Sequence, residues 1–79
     1  MTQSLASLKA GQRARINGFV QEDAFSQRLM QLGILAGETV EVLRRAPAGD
    51  PMEIKILGYS LSLRKAEADL VLIDPVIQE

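Results

Sequence analysis

The chain contains no cysteine, no histidine and no tryptophan, and these absences remove several classes of protein chemistry. Without cysteine there is no disulfide and no thiolate metal ligand. Without cysteine and histidine, neither Ser-His-Asp nor Cys-His catalytic groups can form, nor can a zinc site with nitrogen or sulfur ligands. A glycine-rich phosphate loop is also missing, because none of the 6 glycines begins a Gly-Lys-Ser/Thr sequence. We therefore expect the protein not to be an enzyme.

The remaining groups for acid–base chemistry are carboxylates, lysines and a single tyrosine. The closest carboxylate pairs are Asp50 with Glu53 and Glu67 with Asp69, and neither pair has the spacing of a calcium-binding loop. Aspartate and glutamate are mostly exposed in folded proteins. We interpret both pairs as solvated surface charges and predict neither a metal site nor a cofactor.

Excess positive charge and long apolar runs are missing as well. The chain has 9 Lys+Arg against 10 Asp+Glu, and its pI is about 5.4, whereas nucleic-acid-binding domains often exceed a pI of about 9. No apolar run approaches the roughly 20 residues that span a bilayer. Residues 1–10 lack the apolar core of a signal peptide, and Lys9 is their only charge. These features predict a cytoplasmic protein that neither binds nucleic acid nor inserts into a membrane.

What the sequence does contain is the pattern of one small, mostly β domain over residues 1–79. Apolar and polar residues alternate in four short segments and a fifth is wholly apolar, which predicts five strands. These segments are 13–19, 39–45, 52–57, 59–63 and 70–73. Gly18 predicts a bend or bulge in the first strand, and a short helical turn is expected at about residues 64–69. Short, closely spaced strands separated by turn residues favour a small β-barrel over a layered α/β fold.

One α-helix is predicted at about residues 23–32, inserted between the first two strands. Asp23 is a typical N-cap, and Gly33 is typical of the left-handed residue that ends a helix. Three apolar residues share one face of this helix, which predicts that they lie in the core. They are Phe25, Leu29 and Leu32.

Four segments of the chain together resemble the FeoA family, small cytoplasmic accessory proteins of bacterial ferrous iron uptake. The segments are LASLKAG at 5–11, RLMQLGILAG at 28–37, RAPAGDP at 45–51 and LSLRKAEA at 61–68. The resemblance covers nearly the whole chain, in order and without large gaps. The family often has Pro-Gly where this chain has Ala36 and Gly37, but the glycine that the turn requires is kept.

This resemblance implies an SH3-like β-barrel with a helix inserted after the first strand. It also implies a partner, the large membrane ferrous iron transporter with its cytoplasmic GTP-binding domain. Proteins of this family are understood to assist or regulate that transporter. We therefore expect an accessory protein that binds the transporter and modulates its GTPase domain or its transport.

Met30 and Leu35 are our predicted anchors for such a partner. Met30 lies roughly 130° around the helix from the predicted core face, and Leu35 lies in a loop between two glycines. An adaptable methionine beside an exposed leucine suits a groove in a partner protein, with Arg28 as a charged residue at the rim. The alternative is that the open end of the barrel covers both apolar residues.

Arg45 completes the predicted partner-binding set. Strand alternation places it on the outer face together with Glu41 and Leu43. Arg44 or Arg45 would meet an acidic partner surface or phosphates, or else one of them pairs with Glu53. The loop 46–51 that follows either binds a partner or serves only as a wide hairpin connection.

Three other functions remain open at this stage, as does the oligomeric state. A nucleic-acid-binding barrel needs stacking aromatics, and the chain has only three aromatic residues. A ferrous iron sensor would have to select iron with oxygen ligands alone. An arginine supplied in trans to a GTPase is the third alternative. Its candidates are Arg28, Arg45 and Arg64.

Overall fold

The computed structural model describes residues 3–77, and its elements follow the predicted order with one addition. The strands in this range are β1 (Gln3–Ser4), β2 (Arg13–Phe19), β3 (Thr39–Arg45), β4 (Met52–Ile56), β5 (Tyr59–Leu63) and β6 (Val71–Ile73). The helices are α1 (Ala24–Gln31) and α2 (Lys65–Ala68), with a 3-10 turn at Leu5–Ser7. The five predicted strands and both predicted helical segments are confirmed to within one residue at each end. The addition is β1, which is too short to show any alternation.

The strands form one antiparallel sheet in the order β1-β6-β2-β3-β4-β5. β2 pairs with β6 on one side and β3 on the other, and its register with β6 shifts between Ile16 and Gly18. The predicted irregularity at Gly18 is therefore a bulge. Within residues 3–77 the outer strands β1 and β5 do not pair with each other. The mostly-β class is confirmed, but hydrogen bonds do not close the sheet into a complete barrel.

The core is built from the buried faces of the strands and draws on every strand except β1. Alternate residues of β4 are buried, as the period of two requires. The predicted inward pairs of β2 and β3 are also buried. The buried apolar residues are Leu5, Leu8, Ala14, Ile16, Leu29, Ile34, Val40, Val42, Met52, Ile54, Ile56, Leu63, Ala68, Val71 and Ile73.

The predicted core face of α1 is wrong for two of its three residues. Leu29 is buried, but Phe25 is 59% exposed and Leu32 is 39% exposed. The buried side is instead centred on Ser26 and Leu29, with Met30 half-buried beside them. Phe25 and Leu32 lie roughly 40–60° beyond Leu29 around the helix axis. Because α1 has only about two turns, its rotation is set by its ends and not by its apolar stripe.

Both ends of α1 are closed by specific hydrogen bonds. At the start, Asp23 Oδ1 accepts the Ser26 N–H at 3.0 Å, and Ser26 Oγ accepts the Asp23 N–H at 2.9 Å. At the end, the Ile34 N–H donates to Leu29 O at 3.1 Å across Gly33, whose φ is +101°. The predicted N-cap and glycine stop are confirmed, and the buried contact of Ile34 with Leu29 completes the C-terminal motif.

Candidate partner-binding surface

Met30 and Leu35 lie close in sequence at the end of α1, but the structure exposes them unequally. Met30 is half-buried, whereas Leu35 is 42% exposed. The loop carrying Leu35 is fixed to β2, because the Gly37 N–H donates to Ile16 O and the Ile16 N–H donates to Glu38 O, both at 2.8 Å. These bonds hold the loop that carries Leu35 against β2. The predicted anchor therefore depends more on Leu35 than on Met30, and its contact with a partner stays a prediction.

Two further apolar side chains lie at this end of the helix. A Cβ at Gly33 would be 2.9 Å from Leu57 Cδ1 and 3.3 Å from Tyr59 Oη, so both side chains lie against Gly33. Leu57 is 54% exposed and has a φ of +51°, a left-handed conformation that leucine rarely adopts. We call exposed Leu32, Leu35, Leu57 and Tyr59 the α1-end patch.

The contribution of Leu57 was not predicted, because the third predicted strand extends to residue 57. In the structure, Leu57 and Gly58 form a two-residue turn between Ile56 and Tyr59, which pair across it. Both turn residues have positive φ, as a type I′ hairpin requires. One feature of the sequence does indicate this turn. Gly58 lies between two alternating segments, a position typical of a tight hairpin, and this would place Leu57 in the turn.

Arg28 is exposed as predicted, but it lies in a groove that contains neither Met30 nor Leu35. This groove has a volume of about 680 Å³ and runs between α1, the end of β5 and α2. Its lining residues are Phe25, Arg28, Pro51, Ser62, Leu63, Arg64, Ala66 and Glu67. We call it the α1–β5 groove. The groove that Arg28 lines therefore includes neither apolar anchor, and a rim contact of Arg28 with a partner stays a prediction.

Phe25 dominates the apolar surface of this region. Besides the α1–β5 groove, it lines a neighbouring cavity of about 260 Å³ together with Gln21 and Leu70. Sequence analysis missed Phe25 as a surface residue because it shares a helical face with buried Leu29. An exposed phenylalanine between two cavities offers a large apolar contact to a binding partner.

α2 forms one wall of the groove, and two carboxylates accept hydrogen bonds from the backbone at its start. Asp50 Oδ1 accepts the Lys65 N–H at 2.9 Å, and Glu67 Oε1 accepts the Arg64 N–H at 2.9 Å. Both acceptors lie at the start of a four-residue helix whose first N–H groups lack intrahelical partners. Asp50 and Glu67 therefore position the α2 side of the groove.

Arg45 is half-buried, and its guanidinium group is bonded inside the fold. Nη1 donates to Ala6 O at 2.7 Å and to Leu8 O at 2.8 Å, and Nη2 donates to Gly49 O at 3.2 Å. The predicted outer-face position of Arg45 is wrong, because the β3–β4 register shifts between Val42 and Arg44. These bonds connect the N-terminal turn, β3 and the loop 46–51. A contact of Arg45 with a partner stays a prediction.

Arg44 forms the ion pair with Glu53 that was predicted for either Arg44 or Arg45. Its Nη2 lies 3.3 Å from Glu53 Oε2 on the neighbouring strand, with both side chains open to solvent. The predicted pairing with Glu53 is thus confirmed for Arg44. An exposed pair of this kind contributes little to stability.

Among residues 3–77, no three Asp or Glu side chains come close enough together to hold a metal ion. No helix in the same range has the length and apolar character needed to cross a bilayer.

The fold and its elements correspond to one known family. A family model described as the FeoA domain matches residues 3–75. The chain belongs to the FeoA family. Members of this family take part in ferrous iron transport.

Three relatives show the extent of the similarity. The chain is 33% identical over 64 residues to the Fe(2+) transport protein A/Fe(2+) transporter FeoB fusion protein of Porphyromonas gingivalis (strain ATCC BAA-308 / W83). That match covers 81% of this chain and 8% of the fusion protein. The solution structure of a FeoA-like protein from Clostridium acetobutylicum is 33% identical, with a TM-score of 0.90, over 99% of this chain and 90% of that one.

The FeoA of Stenotrophomonas maltophilia is 29% identical, with a TM-score of 0.78, over 94% of this chain and 89% of that one. It is described as a prokaryotic SH3 domain protein. The SH3-like fold that the sequence resemblance implied is therefore confirmed.

Proposed function

We propose that this FeoA-family protein is a non-enzymatic accessory protein that binds the membrane ferrous iron transporter from the cytoplasm. In this proposal, binding modulates the transporter's GTP-binding domain or its transport activity. The α1-end patch, with Leu35 as the leading residue and Met30 beside it, makes the contact.

The observation that carries the proposal is the fusion in Porphyromonas gingivalis. There, a segment similar to this chain and the FeoB transporter are one polypeptide. Covalent linkage keeps two domains at a high effective concentration. Fusion is typical of domains that interact directly. It therefore supports direct association of the separate proteins.

The α1-end patch supports the choice of surface. It presents Leu35 on an anchored loop and Leu57 in a left-handed turn conformation. The hairpin turn sets the backbone conformation of Leu57, and more than half of its side-chain surface stays open to a partner. Rigid apolar anchors of this type account for much of the binding energy at protein interfaces.

Modulation sets a thermodynamic requirement. A binding protein shifts the equilibrium between two states of its partner only if its affinity for the two states differs. The proposal therefore predicts that affinity for the transporter depends on the nucleotide in the GTP-binding domain.

The test is retention of the detergent-solubilised transporter by the immobilised protein with a GTP analogue, with GDP and without nucleotide. We expect retention that differs between nucleotide states and that falls about tenfold or more in Leu35→Glu, as for an interface anchor. Leu43→Glu is the matched control, because Leu43 is also a partly exposed leucine but lies on β3 outside the patch. It should retain the transporter normally.

The outcomes separate binding from modulation. Equal retention in all three nucleotide states would contradict modulation and leave a passive scaffold. Absence of retention in every state, with the protein shown to be folded, would contradict direct binding. Equal losses of retention in Leu35→Glu and Leu43→Glu would contradict the assignment of the contact to the α1-end patch.

A further inference from the structure

β5 is an outer strand whose free edge offers main-chain hydrogen bonds. Ile56 and Tyr59 pair across the two-residue turn, so they form a hydrogen-bonded pair, and the pattern alternates from there. The N–H and C=O groups of Ser60 and Ser62 therefore point away from β4. Within residues 3–77, no further strand pairs with this edge and no loop hydrogen bond reaches these two serines.

This edge has none of the features that protect free strands. The sequence of β5, Tyr-Ser-Leu-Ser-Leu, contains no charge and no proline. Its pairing with β4 runs through five successive residue pairs without a register shift. Proteins usually guard such an edge with lysine, proline or a bulge. An uncharged, regular edge can accept an added strand.

The α1–β5 groove lies beside this edge. Ser62 and Leu63 of β5 line the groove, and so do Phe25 and Arg28 of α1. A strand added to β5 would therefore lie in the groove, with exposed Phe25 available to one of its apolar side chains. The free edge of β5 therefore borders the groove at Ser62.

The charged side chains of the groove favour one kind of added strand. Arg28 and Arg64 both line it, and neither guanidinium group has an acidic partner within residues 3–77. Glu67 is the one carboxylate in the lining, and it already accepts the Arg64 N–H. Asp50 lies beside the lining, where it accepts the Lys65 N–H. Among the lining residues themselves, two arginines against one carboxylate leave one excess positive charge, which favours an acidic occupant.

We propose that the α1–β5 groove binds an extended acidic segment of a partner protein by strand addition to β5. Main-chain groups of Ser60 and Ser62 bond the backbone of the segment, and Phe25 packs against an apolar side chain. Arg28 and Arg64 bind its carboxylates. β5 itself carries no acidic residue, so a second copy of this strand would leave both arginines without partners. The groove shares no lining residue with the α1-end patch, although Tyr59 of that patch begins β5. The proposal does not depend on transporter binding.

The test uses a blocked peptide of about six residues, a usual strand length, in which aspartate and valine alternate. It is titrated into the ¹⁵N-labelled protein. We expect shifts at the amides of Ser60 and Ser62 and slower hydrogen exchange at both. The same peptide with alternate amides N-methylated should lose binding, because it cannot complete the main-chain ladder. A peptide with lysine in place of aspartate should also fail to bind.

A pair of variants tests the charge. Arg28→Glu should weaken binding of the aspartate peptide about fivefold, since reversing one exposed charge contact changes the binding free energy by about 1 kcal/mol. Arg15→Glu is the matched control on β2, where the exposed arginine lies outside the groove. It should bind the peptide normally.

Four results would overturn the proposal. One is no change at Ser60 and Ser62 when the folded protein is saturated with peptide. Another is equal binding of the lysine peptide. A third is protection of the same amides without peptide in a concentration-dependent dimer, which would assign the edge to a second copy. The fourth is tighter binding of oligothymidine at this edge, which would assign the arginines to nucleic acid.

Discussion

At the scale of single residues, Arg44 and Arg45 show how one irregularity decides the role of a side chain. Strict alternation from Val40 and Val42 would turn Arg44 inward and Arg45 outward. The register shift between Val42 and Arg44 reverses this order, so that Arg45 pairs with buried Met52. Arg45 then reaches three backbone carbonyls while Arg44 remains in solvent. Two neighbouring arginines thereby acquire different functions.

We predict that Arg45→Met lowers the free energy of unfolding by about 2 kcal/mol, because three carbonyls lose a charged donor. Arg44→Met removes a pair whose arginine side chain is 77% exposed, and it should lower that free energy by less than about 1 kcal/mol. Urea unfolding of both variants measures the difference. Equal losses would contradict the structural role assigned to Arg45.

At the scale of elements, α1 is defined by its ends. It has eight residues, too few to be stable alone, and it buries little besides Ser26 and Leu29. The capping box at Asp23 and the glycine motif at Gly33 fix where it starts, where it stops and which side faces the sheet. Phe25 is exposed for this reason, and it becomes available to the α1–β5 groove.

The N-terminal cap gives a direct test of this view. Asp23→Ala should lower the free energy of unfolding by about 1 kcal/mol, because the Ser26 N–H loses its acceptor. Asp23→Asn keeps an acceptor oxygen and should change the free energy of unfolding by only about 0.3 kcal/mol. Thermal unfolding followed by circular dichroism compares the two, and a similar loss in both would argue against the capping role.

The C-terminal glycine gives a second test. Gly33→Ala should lower the free energy of unfolding by about 1–2 kcal/mol, because alanine disfavours a positive φ. The nearest atom to the new Cβ is Leu57 Cδ1, the end of a flexible side chain that can move. Gly18→Ala is the control, since a Cβ there meets nothing within 4 Å. It should leave stability within about 0.5 kcal/mol, and a larger loss at Gly18 than at Gly33 would contradict this account.

At the scale of the whole molecule, one core joins all the larger elements. Buried apolar residues from β2 to β6, from α1 and from the N-terminal turn form a single cluster. Within residues 3–77, the sheet that encloses it ends in β1 and β5, each of which pairs with one neighbour and leaves its other edge free. The chain therefore combines one cooperative core with an open edge, and the edge is where we place the acidic segment.

A single core predicts cooperative unfolding. A domain of this size should have a free energy of unfolding of roughly 4–12 kcal/mol, lost in one transition. Tyr59 is the only tyrosine and lies on outer strand β5, so its fluorescence reports on that edge. We expect its urea transition to coincide with that of far-ultraviolet circular dichroism. An earlier transition for Tyr59 would mean that β5 separates from the core before the rest unfolds.

The sequence by itself determined the five longer strands, the helix with its caps, the short second helical segment and the family. These features depend on local patterns: alternation in the strands, Asp23 and Gly33 at the helix ends, and the four ordered segments of the FeoA resemblance. Periodicity and capping involve residues only a few positions apart, so they can be read along the chain.

Only the tertiary structure decided which surfaces are available. The exposure of Phe25 depends on how a short helix rotates on the sheet, and the inward position of Arg45 depends on a bulge opposite β4. The α1–β5 groove joins residues from α1, β5 and α2 that lie far apart in sequence. Rotation, register and strand order are set by packing between distant segments, which no local pattern specifies.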